Sequence, residues 1–274
     1  MNRRLALDVA HEKQERAYRD VKLLLAHGAD PNAVGTLSEM NSMLHLACLH
    51  YQPRIVQALL EAGADPSAKD ARGCTPLRML FERYSFKSSD RDTLLDVLLA
   101  DPRVEIDERD NDGCTPLSIA ASCECNVSVV LKFAKKAVRM PDEVDINSQD
   151  NQGVTPLCRC IAANNYDITR LLLAQDRIDP NLGPRDAFPL MIAVCLNQQQ
   201  TVELLLESKR LDINKQTSKG QTALLKAIDV GNKDVIKMLA KAGANPDIEM
   251  SEGKTARQQT LAADIHVKWK TRPV

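Results

Sequence analysis

The chain has 274 residues, of which 44% are hydrophobic, 27% charged and only 3% aromatic, so it can form a core, and that core must be largely aliphatic. Its 36 Lys and Arg residues balance 37 Asp and Glu residues, which argues against nucleic-acid binding and adsorption to a membrane surface. No apolar run approaches the roughly 20 residues of a membrane-spanning helix. The N-terminal stretch lacks the features of a signal peptide. We therefore expect a cytoplasmic protein, with the nucleus as an alternative location, and cysteines present as thiols.

Two short phrases recur along the chain. The first has a Thr–Pro–Leu centre, and its Pro position is spaced 33 to 40 residues from one copy to the next. Its copies are GCTPL at 73–77 and 113–117, GVTPL at 153–157, and the weaker SMLHLAC at 42–48, FPLMIAV at 188–194, QTALLKAI at 221–228 and KTARQQ at 254–259. The second phrase keeps the same register, as GADPN at 28–32, GADPS at 63–67, VDIN at 144–147, IDPN at 178–181, LDIN at 211–214 and GANPD at 243–247. Two phrases in one register predict a tandem repeat.

Each repeat predicts a turn followed by two helices. The turn contains Gly, which tolerates a positive φ angle, and the Thr that follows caps the first helix. Pro then occupies the first helical turn, where its missing N–H group does no harm. The second helix carries a heavier apolar stripe, such as Ile55, Val56 and Leu59, and in several repeats it ends at a Gly, such as Gly63.

The two ends of the chain depart from this pattern. Near the N-terminus, LALDVA at 5–10 weakly replaces the Thr–Pro–Leu phrase, and Val21, Leu24 and Leu25 form the apolar stripe of the helix that follows. Near the C-terminus, slots that are apolar in other repeats hold Arg257, Gln259 and Thr260. We expect these polar side chains to face water, as the outer face of a terminal cap must.

A period of about 33 residues, the T-P-L-H-x-A pattern and two helices per unit resemble the ankyrin repeat, and His45 occupies the His slot of that pattern. The resemblance implies an all-α ankyrin-repeat solenoid of about seven to eight helix–turn–helix repeats with β-turn fingers. The expected organisation is an N-terminal capping repeat at 1–37, six repeats at 38–70, 71–110, 111–150, 151–184, 185–217 and 218–250, and a degenerate C-terminal cap with a basic tail at 251–274.

Two repeats are longer than the others. Counting the N-terminal capping repeat as the first, the long repeats are the third, at 71–110, and the fourth, at 111–150. In the third, FERYSFKSSDRD lengthens the turn between the helices, and in the fourth, FAKKAVRMPDEVDI lengthens the end of the second helix. Insertions in such arrays map to loops that bind partners or are simply tolerated. Tyr84 and Phe86 in the third repeat are either aromatic anchors for a partner or a cover for the stack.

The cysteines are assigned by register. Cys160 fills a buried slot for a small residue, whereas Cys74, Cys114 and Cys123 are predicted at the surface. Cys123 with Cys125, and Cys158 with Cys160, stand two residues apart, and on a helix such pairs point in different directions. The four-ligand spacing of a structural zinc site is missing.

No catalytic motif is recognisable: the chain has no GxSxG, no phosphate-binding Gly loop and no dinucleotide-binding fingerprint. We therefore predict no catalytic residue, no metal and no cofactor. One family position holds Asn32, Asn147, Asn181 and Asn214. We expect these side chains to bind their own turns; hydroxylation, which the resemblance also allows, is the alternative.

Positions that folding leaves free are the turn tips and the exposed part of the first helices, which together form a concave surface in such arrays. From them we predict partner contacts at His50, Arg72, Glu82, Arg83, Tyr84, Phe86, Asp112, Ser122, Gln152, Leu196, Lys219 and Asp229. The middle of this surface is modestly apolar, with Val154, Ala162, Ala163, Cys195 and Leu196.

Mixed charges and an apolar middle favour a protein or peptide partner over nucleic acid or membrane. The predicted function is therefore a non-catalytic interaction module (an adaptor, scaffold or inhibitor), and we expect a monomer. Two alternatives are an enzyme on an atypical ankyrin scaffold and a reader of modified peptides. The reader is disfavoured because no three aromatic residues fall on adjacent concave positions.

Overall fold

The computed structural model describes residues 2–34, 41–82, 88–122, 127–139, 144–250, 253 and 255–262. In these segments the regular structure consists of 14 α-helices and two isolated β-bridges, and no strand is present. The helices form two compact units, Met1–Pro116 with Asp142–Val144, and Leu117–Pro141 with Asp145–Val274. The all-α repeat solenoid predicted from the sequence is confirmed.

The first unit contains helices α1 (Asn2–Ala26), α2 (Met43–Leu49), α3 (Pro53–Glu61), α4 (Pro76–Met79) and α5 (Ser88–Ala100). The second unit contains α6 (Pro116–Ser122, whose first residue closes the first unit), α7 (Val127–Arg139), α8 (Pro156–Ala162), α9 (Tyr166–Leu173), α10 (Pro189–Cys195), α11 (Gln199–Leu206), α12 (Ala223–Val230), α13 (Lys233–Ala242) and α14 (Ala256–Ala262). Within each unit, first helices pack on first helices, as α8, α10 and α12 do, and second helices on second helices. Each repeat therefore buries its apolar faces against its neighbours.

The helix starts follow the chemistry of the repeated phrase. Thr75, Thr155 and Thr222 each accept a hydrogen bond from the backbone N–H three residues later, as an N-cap residue does. In the repeat at 185–217 Phe188 stands in the Thr position and provides no side-chain cap. There Pro189 at the first helical position still fixes the start of α10.

The turn loops that precede the first helices are called fingers below: residues 70–74, 110–114, 150–154, 184–187 and 217–221. Three of them are held by an Asp whose carboxylate accepts two backbone N–H groups of the same finger. For Asp150 these donors are Gln152 and Val154, at 2.8 and 2.9 Å. Asp70 and Asp110 have equivalent bonds. The fingers are therefore ordered by their own side chains.

Two cysteines predicted at the surface are buried. Cys74 is 2% exposed and Cys114 is 4% exposed. The reason is visible at Cys74, where the finger lies against α2 and the carbonyl of Cys74 accepts a bond of 2.9 Å from His45 Nε2. Cys160 is fully buried in its small-residue slot, as predicted. Cys123 and Cys125 lie outside the described residues.

The N-terminal end also differs from the prediction. Residues Asn2–Ala26 form one continuous helix instead of a pair. Leu24, assigned to an apolar stripe, is 60% exposed, and Leu23 is exposed to the same extent. In the described part of the chain the main packing partner of α1 is α3.

At the C-terminal end the predicted polar outer face is only partly correct. Arg257 is exposed and its guanidinium contacts the carboxylate of Asp247 at 2.6 Å. Thr260, in contrast, is 2% exposed, because its hydroxyl bonds the carbonyl of Ala256 in its own helix at 3.0 Å and so needs no water. Gln259 is half-buried. The tail at 263–274 lies outside the described residues.

Of the two insertions, the one in the fourth repeat extends α7 to 13 residues, against eight in α9. Residues 83–87 of the third-repeat insertion lie outside the described segments. Helix α4, just before them, has only four residues.

The side chains of the repeated asparagines bind the next repeat, contrary to the prediction that they bind their own turns. Asn181 Oδ1 accepts the backbone N–H of Asp212 at 2.7 Å, and its Nδ2 donates to the carbonyl of Arg210 at 2.8 Å. The same bond to the next repeat joins Asn32 to Asp65, Asn147 to Asp179 and Asn214 to Asn245. The residue two positions before each Asn takes over the bond within the turn, as Asp179 does for the N–H of Asn181.

The first prediction concerns this ladder of asparagines. Asn181→Ala removes two hydrogen bonds between neighbouring repeats and should lower the free energy of unfolding by about 1–2 kcal/mol. Glu203→Ala, at an exposed position on α11, should change it by less than about 0.5 kcal/mol. Urea unfolding followed by circular dichroism measures both. Equal stability of the two variants would mean that the ladder contributes nothing.

The second prediction concerns acid. His45 is buried; its Nδ1 accepts the N–H of Ser42, and its Nε2 donates to Cys74. Burial holds the pKa of this imidazole below its ordinary value of 6.5, so the unfolded chain takes up a proton first as the pH falls. The free energy of unfolding should therefore decrease below about pH 6.5. His45→Gln, which keeps a donor and an acceptor but does not titrate, should lose less stability between about pH 7.5 and about pH 5.

An NMR titration of the unaltered protein gives a readout that does not depend on the variant. The ring resonances of His45 should be those of the neutral Nε2–H tautomer at neutral pH and should titrate below the ordinary value of 6.5. Titration of His45 at or above pH 6.5, with equal acid sensitivity of both proteins, would refute this assignment.

Candidate partner-binding groove

A groove of about 600 Å³ lies within the second unit, between the fingers 150–154 and 184–187 and helices α8 and α10. Its apolar lining includes Val154, Ala162, Ala163, Met191, Ile192 and Leu196. Its polar lining comprises Ser122, Asp150, Gln152, Arg159 and Asp186. The groove is open because Ala162 and Ala163 are small residues at the exposed end of α8 and leave space beside Leu196. A volume of this size accommodates a few side chains of a partner.

The charges inside the groove neutralise each other. The guanidinium of Arg159 contacts the carboxylate of Asp150 at 2.6 Å, and these side chains are 24% and 5% exposed. Burial alone would raise the pKa of Asp150, but the backbone N–H groups of Val154 and Gln152 and the guanidinium of Arg159 hold it below the usual value. The pair thus remains ionised with no net charge.

Asp186 links two fingers at the rim of the groove. Its carboxylate accepts the backbone N–H of Ser218 and, at 2.8 Å, the hydroxyl of the same residue. These two bonds lower the pKa of Asp186. One wall of the groove is therefore tied to the finger of the following repeat, which restricts its movement.

Three of the predicted contact residues, Ser122, Gln152 and Leu196, are brought together in this groove. The predicted apolar middle lines it as well. Lys219 and Asp229 belong to the same unit and are exposed, but they lie outside the groove. The carboxylate of Asp229 accepts a bond of 2.7 Å from Gln221.

Four predicted residues lie in the first unit. His50 and Asp112 are exposed. Arg72 contacts the carboxylate of Asp70 at 3.1 Å and that of Glu82 at 2.6 Å. This ion-pair network is a polar surface rather than a groove. The remaining three predicted contacts, Arg83, Tyr84 and Phe86, lie outside the described residues, so their role as anchors stays a prediction.

Sequence reasoning missed several lining residues of the groove, although it included Cys195 and Leu196 from the repeat at 185–217. Pro184, Ala187, Met191 and Ile192 line it, yet the finger GPRDAF departs from the repeated turn phrase. The register that fixes Phe188 as the Thr equivalent was the available signal, because it places Met191 and Ile192 on the same helix face as Cys158 and Arg159.

A second cavity, called the amide pocket below, adjoins the groove. It measures about 520 Å³ and shares Ala162 and Leu196 with the groove. Its other lining residues belong to the turns that lead into α9 and α11 and to the first residues of those two helices: Asn164, Tyr166, Asn197, Gln198, Gln199, Gln200 and Thr201. All of them are uncharged. Sequence reasoning did not single out any of these residues.

Within the described segments, no group of three or more His, Cys, Asp or Glu side chains is placed to hold a metal ion. In the same segments no helix is both long enough and apolar enough to cross a membrane. What the groove offers chemically is an apolar cleft with hydrogen-bonding groups at its rim.

Stacked helix pairs, fingers and a groove along the first helices define a helical tandem-repeat protein. Sequence models described as "Ankyrin repeats (3 copies)" match residues 84–184 and 183–250, and one described as "Ankyrin repeats (many copies)" matches residues 24–80. The chain therefore belongs to the ankyrin repeat family, whose repeats generally serve as protein-interaction modules.

Individual relatives share only part of their length with this chain. Human "Neurogenic locus notch homolog protein 4" is 37% identical over 98 residues, which is 36% of this chain and 4% of that protein. Pig "NF-kappa-B inhibitor alpha" is 38% identical over 79 residues, 29% of this chain and 24% of that protein. The crystal structure of the ankyrin repeat domain of Bcl-3 matches 92% of this chain and 91% of its own, with a TM-score of 0.51 and 22% identity, and supports the fold.

The third prediction tests the placement of the thiols. Cys195 is exposed in the groove, whereas Cys48, Cys158 and Cys160 are buried. Burial raises the pKa of Cys160 to about 12 and that of Cys74 to about 11, so both stay protonated near neutral pH. N-ethylmaleimide should modify Cys195 at least about tenfold faster than these thiols.

Mass spectrometry of tryptic peptides over a time course provides the rates, with peptides that contain Cys123 and Cys125 scored separately. Cys195→Ser is the control that identifies the fast site. Modification of Cys160 as fast as that of Cys195 would contradict the burial described above.

Proposed function

We propose that this protein is a non-catalytic adaptor, scaffold or inhibitor that binds a protein partner through the groove of its second unit. The observation that supports this best is the groove itself, an apolar cleft built from finger and first-helix positions that the fold does not need. Its volume suits the insertion of anchor side chains, which dominate the affinity of many protein interfaces. Residues Ser122, Gln152 and Leu196 then contact the partner directly.

A protein segment is a better occupant than nucleic acid because the groove has no basic character. Asp150 and Arg159 cancel, and Asp186 adds a negative charge at the rim. Phosphate groups would be repelled there. The name of the pig relative describes an inhibitor, which is in keeping with a binding role.

We propose the other predicted contacts as a secondary surface. Two of these contacts, Lys219 and Asp229, follow the groove residues in the chain and belong to the same unit. The others would come from the first unit: His50, Arg72, Glu82, Asp112 and the insertion residues Arg83, Tyr84 and Phe86. The proposal includes the repeat boundaries given above, with caps at 1–37 and 251–274. It also includes a monomeric state, no cofactor, no nucleic acid or membrane as partner, and a cytoplasmic or nuclear location.

The fourth prediction uses a matched pair of positions. Leu196 and Val230 occupy the same register on α10 and α12 and are 49% and 43% exposed, but only Leu196 lines the groove. Leu196→Asp should weaken partner binding by at least about tenfold, or about 1.4 kcal/mol, because it places a carboxylate in an apolar site. Val230→Asp should change the affinity by less than about twofold.

The partner is first identified by affinity purification from the native cell with crosslinking, and its affinity for each variant is then measured by calorimetry. Equal binding by both Asp variants would exclude the groove. A large loss on combined replacement of Arg83, Tyr84 and Phe86 by Ala, with no effect of Leu196→Asp, would move the contact to the third-repeat insertion.

A further inference from the structure

The groove and the amide pocket follow one another along the same two helices. The groove runs along α8 and α10 from the fingers to Ala162 and Leu196, and the amide pocket begins there, where the chain turns into α9 and α11. Ala162 and Leu196 line both cavities. A single partner segment that runs parallel to α8 and α10 would therefore pass from one cavity into the other.

The length of the helices sets the spacing of the two cavities. Helix α8 has seven residues, and a helix rises about 1.5 Å per residue, so the finger end of the groove lies about 10 Å along the helix axis from Ala162, where the pocket begins. An extended chain advances about 3.3 Å per residue. A partner side chain at the finger end of the groove and another in the pocket should thus stand about three residues apart in sequence.

The amide pocket has a distinct chemistry. Its side chains are amides, one hydroxyl, one phenol and two aliphatic groups, with no charge among them. Gln198 Nε2 donates to the carbonyl of Ile161 at 2.7 Å, and its buried Oε1 accepts no bond from the described part of the chain. A charged group that entered here would lose its hydration without gaining a counter-charge. An amide side chain could both donate and accept.

The walls of the pocket are pre-formed. Asn164 and Asn197 adopt left-handed φ angles of 55° and 56°, which end α8 and α10 tightly. The N–H of Asn164 bonds the carbonyl of Ile161 at 2.9 Å, and that of Asn197 bonds the carbonyl of Val194 at 3.1 Å. The Asn197 side chain also accepts a bond from Asn232 of the next repeat. Binding would need little reordering of these turns.

We propose that the amide pocket is a second recognition site, and that the partner segment carries an apolar side chain for the groove and an Asn or Gln about three residues away for the pocket. This inference rests on the proposed function and specifies its ligand. The occupant is an extended segment with uncharged side chains at both positions, because the charges that line the groove are the self-neutralised Asp150–Arg159 pair and the rim carboxylate of Asp186, which Ser218 holds, and the pocket lining carries no charge. Leu196, which borders both cavities, contacts the segment where it passes from the groove into the pocket.

The fifth prediction uses four short synthetic peptides with blocked ends as probes, identical except at one position: Leu-Ala-Ala-Gln, Leu-Ala-Ala-Ala, Leu-Ala-Ala-Glu and Leu-Ala-Ala-Lys, each flanked by Ser-Gly. Binding is followed by 15N–1H NMR, in which the side-chain amides of Gln199 and Gln200 report on the pocket directly. The Gln peptide should bind at least about fivefold more tightly than the Ala peptide and at least about tenfold more tightly than either charged peptide.

A variant that introduces a charge into the amide pocket tests whether the peptide preference can be reversed. Gln200→Glu, at an exposed position, should shift the preference from the Gln peptide to the Lys peptide by at least about tenfold. Gln216→Glu makes the same charge change outside both cavities and should leave the ranking unaltered. Circular dichroism establishes that both variants fold.

The outcomes separate the two proposals. Equal affinity of all four peptides, lost in Leu196→Asp, would overturn the amide pocket and leave the groove intact. Absence of shifts at Gln199 and Gln200 up to millimolar peptide would also overturn it. Binding that is insensitive to both Gln200→Glu and Leu196→Asp would count against the pocket and the groove together.

Discussion

A helix pair in this chain cannot bury both of its apolar faces by itself, and the rest of the structure follows from that constraint. Helix α10 packs on α8 on one side and on α12 on the other, and its Leu190 and Ala193 are fully buried as a result. A position that faces a neighbouring helix must hold a side chain that fits the space between the helices. The position of Ala193 is therefore filled by a small residue in most repeats. Where a neighbour is missing from the described part of the chain, apolar side chains stay exposed, as Leu24 and Met43 do.

Because the apolar helix positions are buried in packing between repeats, the exposed finger and first-helix positions are the ones available to a partner. The groove forms where two exposed alanines, Ala162 and Ala163, stand opposite Leu196 on the next first helix, and where polar bonds keep the fingers in place. The carboxylate of Asp150 orders its finger without adding net charge, because Arg159 of the same repeat neutralises it. An apolar cleft next to an uncharged pocket would disfavour charged partner segments as well as favour apolar ones.

The sequence period was sufficient to predict the fold class, the helix starts at Thr and Pro, the buried Cys160 and part of the apolar lining of the groove. It could not predict how deeply a neighbour covers a given position. For that reason Cys74 and Cys114 were placed at the surface, and Thr260 was expected in water although its hydroxyl is satisfied by its own helix. The amide pocket was not predicted for a related reason. Its residues lie in and just after the turns between helices. The repeat register identifies these positions, but the geometry of two adjacent turns determines whether a cavity forms between them.

In the asparagine ladder, each Asn side chain accepts its bond from a residue that is translated later than the Asn itself. Asn147 Oδ1 receives its bond from Asp179, which lies 32 residues later, and Asn181 receives its bond from Asp212, 31 residues later. On the ribosome each of these repeats therefore emerges before the residue that donates to its Asn. Translation supplies the donors one repeat at a time, so each bond between repeats becomes possible only after the next repeat has been made.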